Sequence, residues 1–247
     1  MKAEIVELTD AEGAFFDPRA VAFPAATAGH WALADSFDPQ AVTQDGRWWL
    51  RFRAFAVRLD DGRVIIVDAG IGPAHAPSAS WAPVPGRLPD SLHAAGIDPA
   101  EIGQVVLTHL HTDHIGWAYT GLFPNAAILV QRAEFGWSSL RFPEDRLVLL
   151  DGDTKLADGV DVIATPGHTP GHQSVIVEDQ VAITGDVLVH AIQLVAPEIG
   201  YSQEMDPDLA RETRIALLSK GLRLATPHLT EPFITTDRLT MEQRFRR

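Results

Sequence analysis

Four side chains able to bind a metal ion lie within six residues of the sequence. They are His109, His111, Asp113 and His114. The apolar run 105–107 comes directly before them and predicts a buried strand that delivers the cluster onto a loop. His109 and His111 alternate as residues at a strand end do, so both can face one side, whereas Asp113 and His114 follow round a turn. Imidazole and carboxylate ligands suit zinc and similar divalent ions.

Side chains of the same chemistry follow three other predicted strands. These strands are predicted at 160–164, 181–184 and 222–225, and His168, Asp186 and His228 come after them. Because several strands of one sheet end along one edge, these side chains can converge with the first four. Seven donors suffice for two ions, with three histidines on one, Asp113 and two histidines on the other, and Asp186 between them. Each ion would keep room for a solvent ligand, which is typical of catalytic zinc. The alternative is a coincidence of polar surface residues.

Asp68 follows another predicted buried strand, at 64–67. A carboxylate at the end of a buried strand is costly unless it is hydrogen-bonded. Asp68 is therefore expected either to orient a metal ligand or to make a purely structural hydrogen bond.

Five further side chains are candidates for a substrate pocket. They are Phe23, Trp31, Trp81, Trp117 and His190. Large aromatic residues belong more often to a core or an interface than to a pocket. His190 fits two roles equally well, facing the substrate or capping a loop.

The order of predicted elements indicates one α/β domain over residues 1–247, because strands alternate with helices and no composition break marks a linker. A helix that begins at Asp206-Pro207 places Leu209, Thr213, Ala216 and Leu217 on one face. Residues 1–50 are predicted to be irregular because Pro18, Pro24 and Pro39 discourage long helices. Within them, residues 1–47 are expected to form an arm that packs on the domain.

Composition limits the partners and the compartment. The chain has 247 residues and a formal charge of -13, which argues against nucleic acid or an anionic membrane as partner. It has no cysteine, so any metal must be held by histidine and aspartate. The first residues are acidic where a signal peptide needs an apolar core, and no apolar run approaches the roughly 18–20 residues that span a bilayer. A cytoplasmic location is the expectation.

The ligand array resembles the metallo-β-lactamase superfamily. The motif His-x-His-x-Asp-His of that superfamily is matched by residues 109–114, and its further ligands are matched by His168 in Thr-Pro-Gly-His, Asp186 in Thr-Gly-Asp, and His228. Asp68, in Val-Asp-Ala-Gly, matches the acid that supports the ligands from behind. The resemblance spans about residues 48–235. It implies an αββα sandwich, with two mixed sheets face to face, helices outside, and the metals at one sheet edge.

Within the superfamily, the chain is similar to the branch of lactonases and methyl-parathion-hydrolase-like organophosphate hydrolases. Its length and the run Gly-His-Thr-Pro-Gly-His-Gln-Ser carry this resemblance, and the segment 185–191 with Gln193 is closer to the organophosphate-hydrolase side. Acyl-homoserine lactonases carry a tyrosine three residues after the bridging aspartate. This chain has Val189 there, so the phenol is absent or supplied from elsewhere.

The resemblance implies a hydrolase with two divalent ions, zinc above all, that cleaves a small ester, lactone or phosphotriester. The nucleophile would be a hydroxide between the ions, since two zinc ions lower the pKa of bridging water to about 7 or less. Asp113 can ligate with one oxygen and pass a proton to the leaving group with the other. Two alternatives use the same scaffold, a glyoxalase II-like thioesterase and an iron-dependent oxidoreductase of the sulfur dioxygenase type. A homodimer is a further expectation.

Overall fold

Two six-stranded sheets form the centre of the computed structural model, which describes residues 3–137 and 142–235. The first sheet contains, in spatial order, β1 (Glu4–Ala14), β2 (Trp49–Arg58), β3 (Val64–Val67), β4 (Gln104–Val106), β5 (Ala127–Gln131) and β6 (Leu147–Leu150). The second contains β7 (Thr154–Ala157), β8 (Val160–Ala164), β9 (Gln173–Val177), β10 (Val181–Ile183), β11 (Arg223–Ala225) and β12 (Phe233–Ile234).

Both sheets are mixed. The strands β1, β2 and β3 are antiparallel, as the Asp60–Arg63 turn between β2 and β3 predicts, and β3 to β6 are parallel. In the second sheet β10 and β11 are parallel and the other pairs are antiparallel. The strands β3, β4, β10 and β11 each lead directly toward one edge of the molecule, where the predicted ligands lie.

The sheets pack face to face over an apolar core. In β3, Ile65 and Val67 point into the layer between the sheets, together with Val162 and Val175 of the second sheet. Ile66 points to the outer face of the first sheet. A short strand that is apolar on both faces is typical of a sheet covered on both sides, so the continuous apolar runs of the sequence are explained by burial from two directions.

Helices cover the outer face of each sheet. They are α1 (Arg19–Ala22), α2 (Ala28–Phe37), α3 (Leu88–Ala94), α4 (Thr112–Ile115), α5 (Arg132–Trp137), α6 (Ile192–Val195) and α7 (Pro207–Ser219). Leu88 and Leu92 of α3 pack on the first sheet, and Leu217 of α7 packs on the second. The expected αββα sandwich is confirmed. None of the helices in the described part of the chain is long and apolar enough to cross a membrane.

The irregular structure predicted for residues 1–50 is wrong in two places. The segment Glu4–Ala14 is a full strand paired with β2, and Ala28–Phe37 is a ten-residue helix. The prolines on which the prediction relied stand outside both segments, and Thr27 caps the helix by accepting from the His30 backbone. A register shift at Asp10 turns this residue inward, where it accepts from the backbone of Ile71 and Leu88.

Of the four residues predicted to share one face of α7, only Leu217 is buried. The buried residues of α7 are Ala210, Arg214 and Leu217, whereas Leu209 is more than a third exposed. The reason is Arg214, whose guanidinium is paired inside the protein with Glu204 at 2.7 Å. A charged residue therefore occupies the inner face that the apolar pattern assigned to its neighbours. The short strands β7 and β12 were not predicted either.

Candidate metal centre

All seven predicted ligands meet at one edge of the sandwich. His109 and His111 lie in the loop after β4, and α4 carries Asp113 and His114 directly behind them. The other three ligands, His168, Asp186 and His228, follow β8, β10 and β11. Their donor atoms form two groups, each within 4.8 Å. The convergence expected from the strand ends is present in the structure.

The first group consists of three histidines and one carboxylate oxygen. His111 Nδ1 lies 3.0 Å from His109 Nε2 and 3.0 Å from His168 Nε2. Asp186 Oδ2 lies 3.6 Å from His109 Nε2 and 3.3 Å from His168 Nε2. Four donor atoms therefore surround one point.

The second group lies beside the first and shares Asp186. The Nε2 atoms of His114 and His228 are 3.3 Å apart, and Asp113 Oδ2 is 3.6 Å from each of them. Asp186 Oδ1 lies 3.3 Å from His114 Nε2 and 3.1 Å from His228 Nε2. The two oxygens of Asp186 thus face one group each, which is the arrangement of a bridging carboxylate.

These groups fit divalent metal ions. In a tetrahedral site with zinc–nitrogen bonds of about 2.0–2.1 Å, neighbouring ligand atoms are about 3.3 Å apart, and the observed separations cluster around this value. Asp186 Oδ1 is buried and has no hydrogen-bond partner among the described residues, although two imidazole nitrogens lie close to it. Imidazole nitrogens and carboxylate oxygens that converge at these distances are placed to share a cation.

Asp68 supports two of the ligands from behind. Its Oδ2 accepts from His114 Nδ1 at 2.8 Å, which leaves the Nε2 of His114 free to ligate. Its Oδ1 accepts from the backbone N–H of Thr108 at 2.8 Å, and the Thr108 hydroxyl lies 3.0 Å from His109 Nδ1. Asp68 adopts a left-handed backbone with φ of 64°, which fixes its carboxylate at the turn.

Two further contacts orient His228 and Asp186. The carbonyl of Arg51 accepts from His228 Nδ1 at 2.8 Å and directs Nε2 to the centre. His172 Nε2 accepts from the backbone N–H of Asp186 at 2.9 Å, so this histidine positions the bridge. Gly185 has φ of 50°, and a Cβ there would lie 2.7 Å from His172 Nε2. Glycine is therefore required for this close approach.

Burial keeps part of the cluster neutral. It lowers the pKa of the His109 imidazole well below its ordinary value, with the nearby His114 acting in the same direction. Burial also lowers the pKa of His111 to about 4, with a further contribution from His168. Both imidazoles are thus free of competing protons at neutral pH, which is the state that binds a metal.

Carboxylates reverse this effect in the second group. Burial lowers the pKa of His114, but the negative charges of Asp186, Asp113 and Asp68 outweigh it and raise that pKa well above the ordinary value. Burial raises the pKa of Asp186, but His114, then His228 and His109, outweigh it and hold that pKa well below its usual range. The site is thus built for positive charge, which protons or metal ions can supply.

A cavity of about 540 Å³ opens above the cluster. Its walls are mainly aromatic and aliphatic, and its floor contains His111, Asp113, His168, Asp186 and His228. The wall residues are Phe15, Phe16, Trp48, Leu50, Trp81, Leu110, Thr112, Trp137, Val189, Tyr201 and Gln203. No lysine or arginine of the described chain lines it. The cavity therefore suits an uncharged, largely apolar molecule.

Of the five predicted pocket residues, Trp81 lies on the cavity wall, where its Nε1 donates to the Thr112 hydroxyl at 3.1 Å. Trp117 is not among the residues that line the cavity, and its Nε1 instead donates to Asp10 Oδ1 at 3.0 Å.

The other three predicted pocket residues do not line the cavity but pack behind its wall, where Phe23 contacts the wall residues Trp48 and Tyr201. His190 is buried there against Phe23, Trp31 and Trp48, with ring centroids 5.3–5.6 Å apart. Its Nδ1 accepts from the Ile192 backbone at 3.0 Å, so the structure gives it the loop-capping position. The prediction that these residues line the substrate pocket is not supported by their positions.

Tyr201 is a cavity residue that the sequence did not single out. Its ring stacks on His168 with centroids 6.1 Å apart, and its hydroxyl makes no hydrogen bond to the described residues. Burial raises the pKa of this phenol, and the charges of Asp186 and Asp113 raise it further, so it remains a proton donor. The chain has two tyrosines, and Tyr201 lies between α6 and α7 on the segment that follows the ligand Asp186, which was the available signal.

Curated lactonases resemble part of the chain. An N-acyl homoserine lactonase of Bacillus cereus is 33% identical over 102 residues, which cover 38% of this chain and 40% of the lactonase. The N-acyl homoserine lactonase AttM of Rhizobium radiobacter is 36% identical over 112 residues, which cover 36% of this chain and 40% of AttM. The matches thus span about two fifths of the length of these relatives.

Solved structures share the fold over nearly the whole chain. The hydrolase AbOPH, described as a member of the β-lactamase superfamily, has a TM-score of 0.76 at 24% identity and covers 95% of this chain and 90% of its own. AidC, described as a dizinc quorum-quenching lactonase, has a TM-score of 0.76 at 23% identity, with 93% and 88% covered. Residues 53–226, well over half of the sequence, match the family model of the metallo-β-lactamase superfamily. The chain belongs to that superfamily.

Proposed function

We propose that this protein is a hydrolase with two divalent metal ions that cleaves small, uncharged lactones or esters. The observation that carries the proposal is Asp186, whose two oxygens face two adjacent groups of ligand atoms at the floor of an apolar cavity. His109, His111 and His168 would hold one ion, and Asp113, His114 and His228 the other. Bound zinc ions supply a hydroxide nucleophile at neutral pH and positive charge for the developing anion.

Asp113 is the proposed proton carrier. Its Oδ2 faces His114 and His228, while the residue also lines the cavity. One carboxylate oxygen can thus serve as a ligand while the other accepts a proton and returns it to the leaving group. Among the described residues, the cavity is lined by one other carboxylate, Asp186, and its two oxygens each face one of the two ligand groups.

Tyr201 is proposed to supply the phenol that Val189 does not. Tyr201 lines the cavity with its ring stacked on His168, and its phenol remains protonated because burial raises its pKa. A phenol in this position can donate to the substrate oxygen on which negative charge develops. The lactonase resemblance of the sequence is thereby consistent with the loss of tyrosine at position 189.

The cavity walls select against charged substrates. A glutathione thioester carries carboxylates, and the described part of the cavity offers no lysine or arginine to pair with them. This argues against the thioesterase alternative. Phosphotriesters are uncharged and stay in the proposed range, which the organophosphate-like segment 185–191 also favours. The similarity to relatives named as lactonases supports lactones as the first substrates to test.

The test is a substrate panel on zinc-loaded protein. It contains a set of acyl lactones, an aryl ester, a neutral phosphotriester and a glutathione thioester, and lactone hydrolysis is expected to have the highest kcat/KM. Asp186→Ala should abolish hydrolysis, whereas the control His93→Ala, at an exposed position of α3, should retain it. Preference for the thioester, or full activity in Asp186→Ala, would refute the proposal.

The single domain over residues 1–247 is part of the proposal, with the segment before β2 built into it through β1. The homodimer and the cytoplasmic location stay predictions.

A further inference from the structure

Glu134 is a buried carboxylate that the proposed chemistry does not use. It lies in α5, directly after β5, and its side chain is fully buried. Among the described residues it makes no ion pair. A buried charge without a counterion is costly unless hydrogen bonds or a nearby ion compensate it. Its position therefore requires an explanation.

The carboxylate of Glu134 joins two loops of the candidate metal centre. Its Oε1 accepts from the backbone N–H of Leu110 at 2.8 Å, and its Oε2 accepts from the backbone N–H of Gly171 at 3.0 Å. Leu110 stands between His109 and His111, and Gly171 closes the turn that contains His168. A Cβ on Gly171 would lie 2.1 Å from the Glu134 nitrogen, so this turn rests directly on the start of α5.

This connection concerns one group of ligands. His109, His111 and His168 all come from the two loops that Glu134 holds together, and they form the first group. The second group is oriented by other contacts, from Asp68 to His114 and from the Arg51 carbonyl to His228. The hydrogen bonds of Glu134 therefore join the two loops that carry the histidines of the first group.

We propose that Glu134 is a positioning residue for the first metal group and that it does not act on the second. The inference rests on the proposed two-metal site. Charge supports it, because a carboxylate buried behind three imidazoles favours a cation among them. Residues that orient metal ligands typically change metal affinity about 10–100-fold when they are replaced.

The experiment measures zinc affinity by chelator competition, with each group isolated in turn. His228→Ala leaves the first group intact, and His168→Ala leaves the second. Glu134→Gln keeps the shape but places an N–H₂ against one of the two backbone donors. It is expected to weaken zinc binding about 10–100-fold in the His228→Ala background and less than twofold in the His168→Ala background.

Two comparison variants separate positioning from general damage. Glu134→Asp keeps the charge but is too short to reach both loops, so the same dependence on background is expected. Asp68→Asn should weaken binding in both backgrounds, because Asp68 contacts His114 directly and His109 through Thr108. Equal losses from Glu134→Gln in both backgrounds, or no loss in either, would overturn the inference while wild-type protein still binds two zinc ions. If wild-type protein binds no zinc, the proposed function fails and this inference fails with it.

Discussion

Arg214 provides a stability prediction whose magnitude follows from the structure. Its guanidinium is fully buried, pairs with Glu204 at 2.7 Å, and donates to the carbonyls of Val187 and Pro197 at 3.0 and 2.8 Å. It therefore ties α7 to the loop that runs from Asp186 to the cavity wall. Arg214→Met keeps most of the apolar stem and removes the charge, which leaves the Glu204 carboxylate buried without its cation.

Removal of one partner from a buried ion pair costs about 3–5 kcal/mol. In a chain of this size, 1 kcal/mol shifts the melting temperature by about 2–4 °C, so Arg214→Met should lower it by about 6–20 °C. The double variant with Glu204→Gln removes the unpaired charge as well. Its melting temperature is expected to fall by less than half as much, because the penalty comes mainly from the unpaired Glu204 carboxylate that the single variant leaves buried.

Thermal unfolding with excess chelator is the suitable assay, since bound metal would add a concentration-dependent contribution to stability. Far-UV circular dichroism and calorimetry on wild-type, single and double variants give the three melting temperatures. A loss under 3 °C in Arg214→Met would refute the reasoning. So would a double variant less stable than the single one, because the buried charge would then not be the cause.

Two further predictions concern Tyr201 and His190. Tyr201→Phe should lower kcat for the best substrate by about 10²-fold with little change in KM, because the phenol acts on charge that develops in the transition state. Steady-state kinetics measure both constants, and an unchanged kcat would contradict this role. Burial lowers the pKa of His190 to about 3, with Arg19 adding to the effect and Asp35 opposing it. The unfolded chain therefore binds more protons between pH 6.5 and 3, and His190 destabilises the fold progressively as the pH falls through that window. His190→Asn keeps an acceptor for the Ile192 backbone. It should reduce the pH dependence of the free energy of unfolding by about 1.4 kcal/mol per pH unit within that window. Urea unfolding of chelator-treated protein at several pH values measures this.

Most strands of the sandwich and the ligands at its edge could be predicted because their signals are local, whereas β1, β7 and β12 could not. A short apolar run that ends in a histidine or aspartate identifies both the strand and the side chain at its end, as 105–107 and His109 show. The rule that strands of one sheet end together does not cover His111 and His168, because they follow β4 of the first sheet and β8 of the second. Their nitrogens lie 3.0 Å apart because the two sheets pack with their ligand-bearing strand ends at the same edge.

The cavity and the buried charges could not be predicted in the same way. The wall joins Phe15, Trp81 and Tyr201 from three separate segments, and no periodicity in one segment reveals contacts with another. Arg214 occupies a core position because Glu204 and three loop carbonyls compensate its charge, which a hydrophobic pattern along α7 cannot show. Tertiary pairing overrides local pattern at such positions.

The central claim is that seven side chains hold two metal ions, and a zinc titration of metal-free protein tests it most directly. Zinc bound per chain, the melting temperature and hydrolysis are followed on the same samples. Two zinc ions per chain are expected, with a stability gain of about 2.7 kcal/mol for each ion once free zinc exceeds that ion's dissociation constant 100-fold. Hydrolysis is expected to reach its full rate only when the second ion has bound. A single ion per chain at saturation, or one iron with no hydrolysis, would contradict the claim.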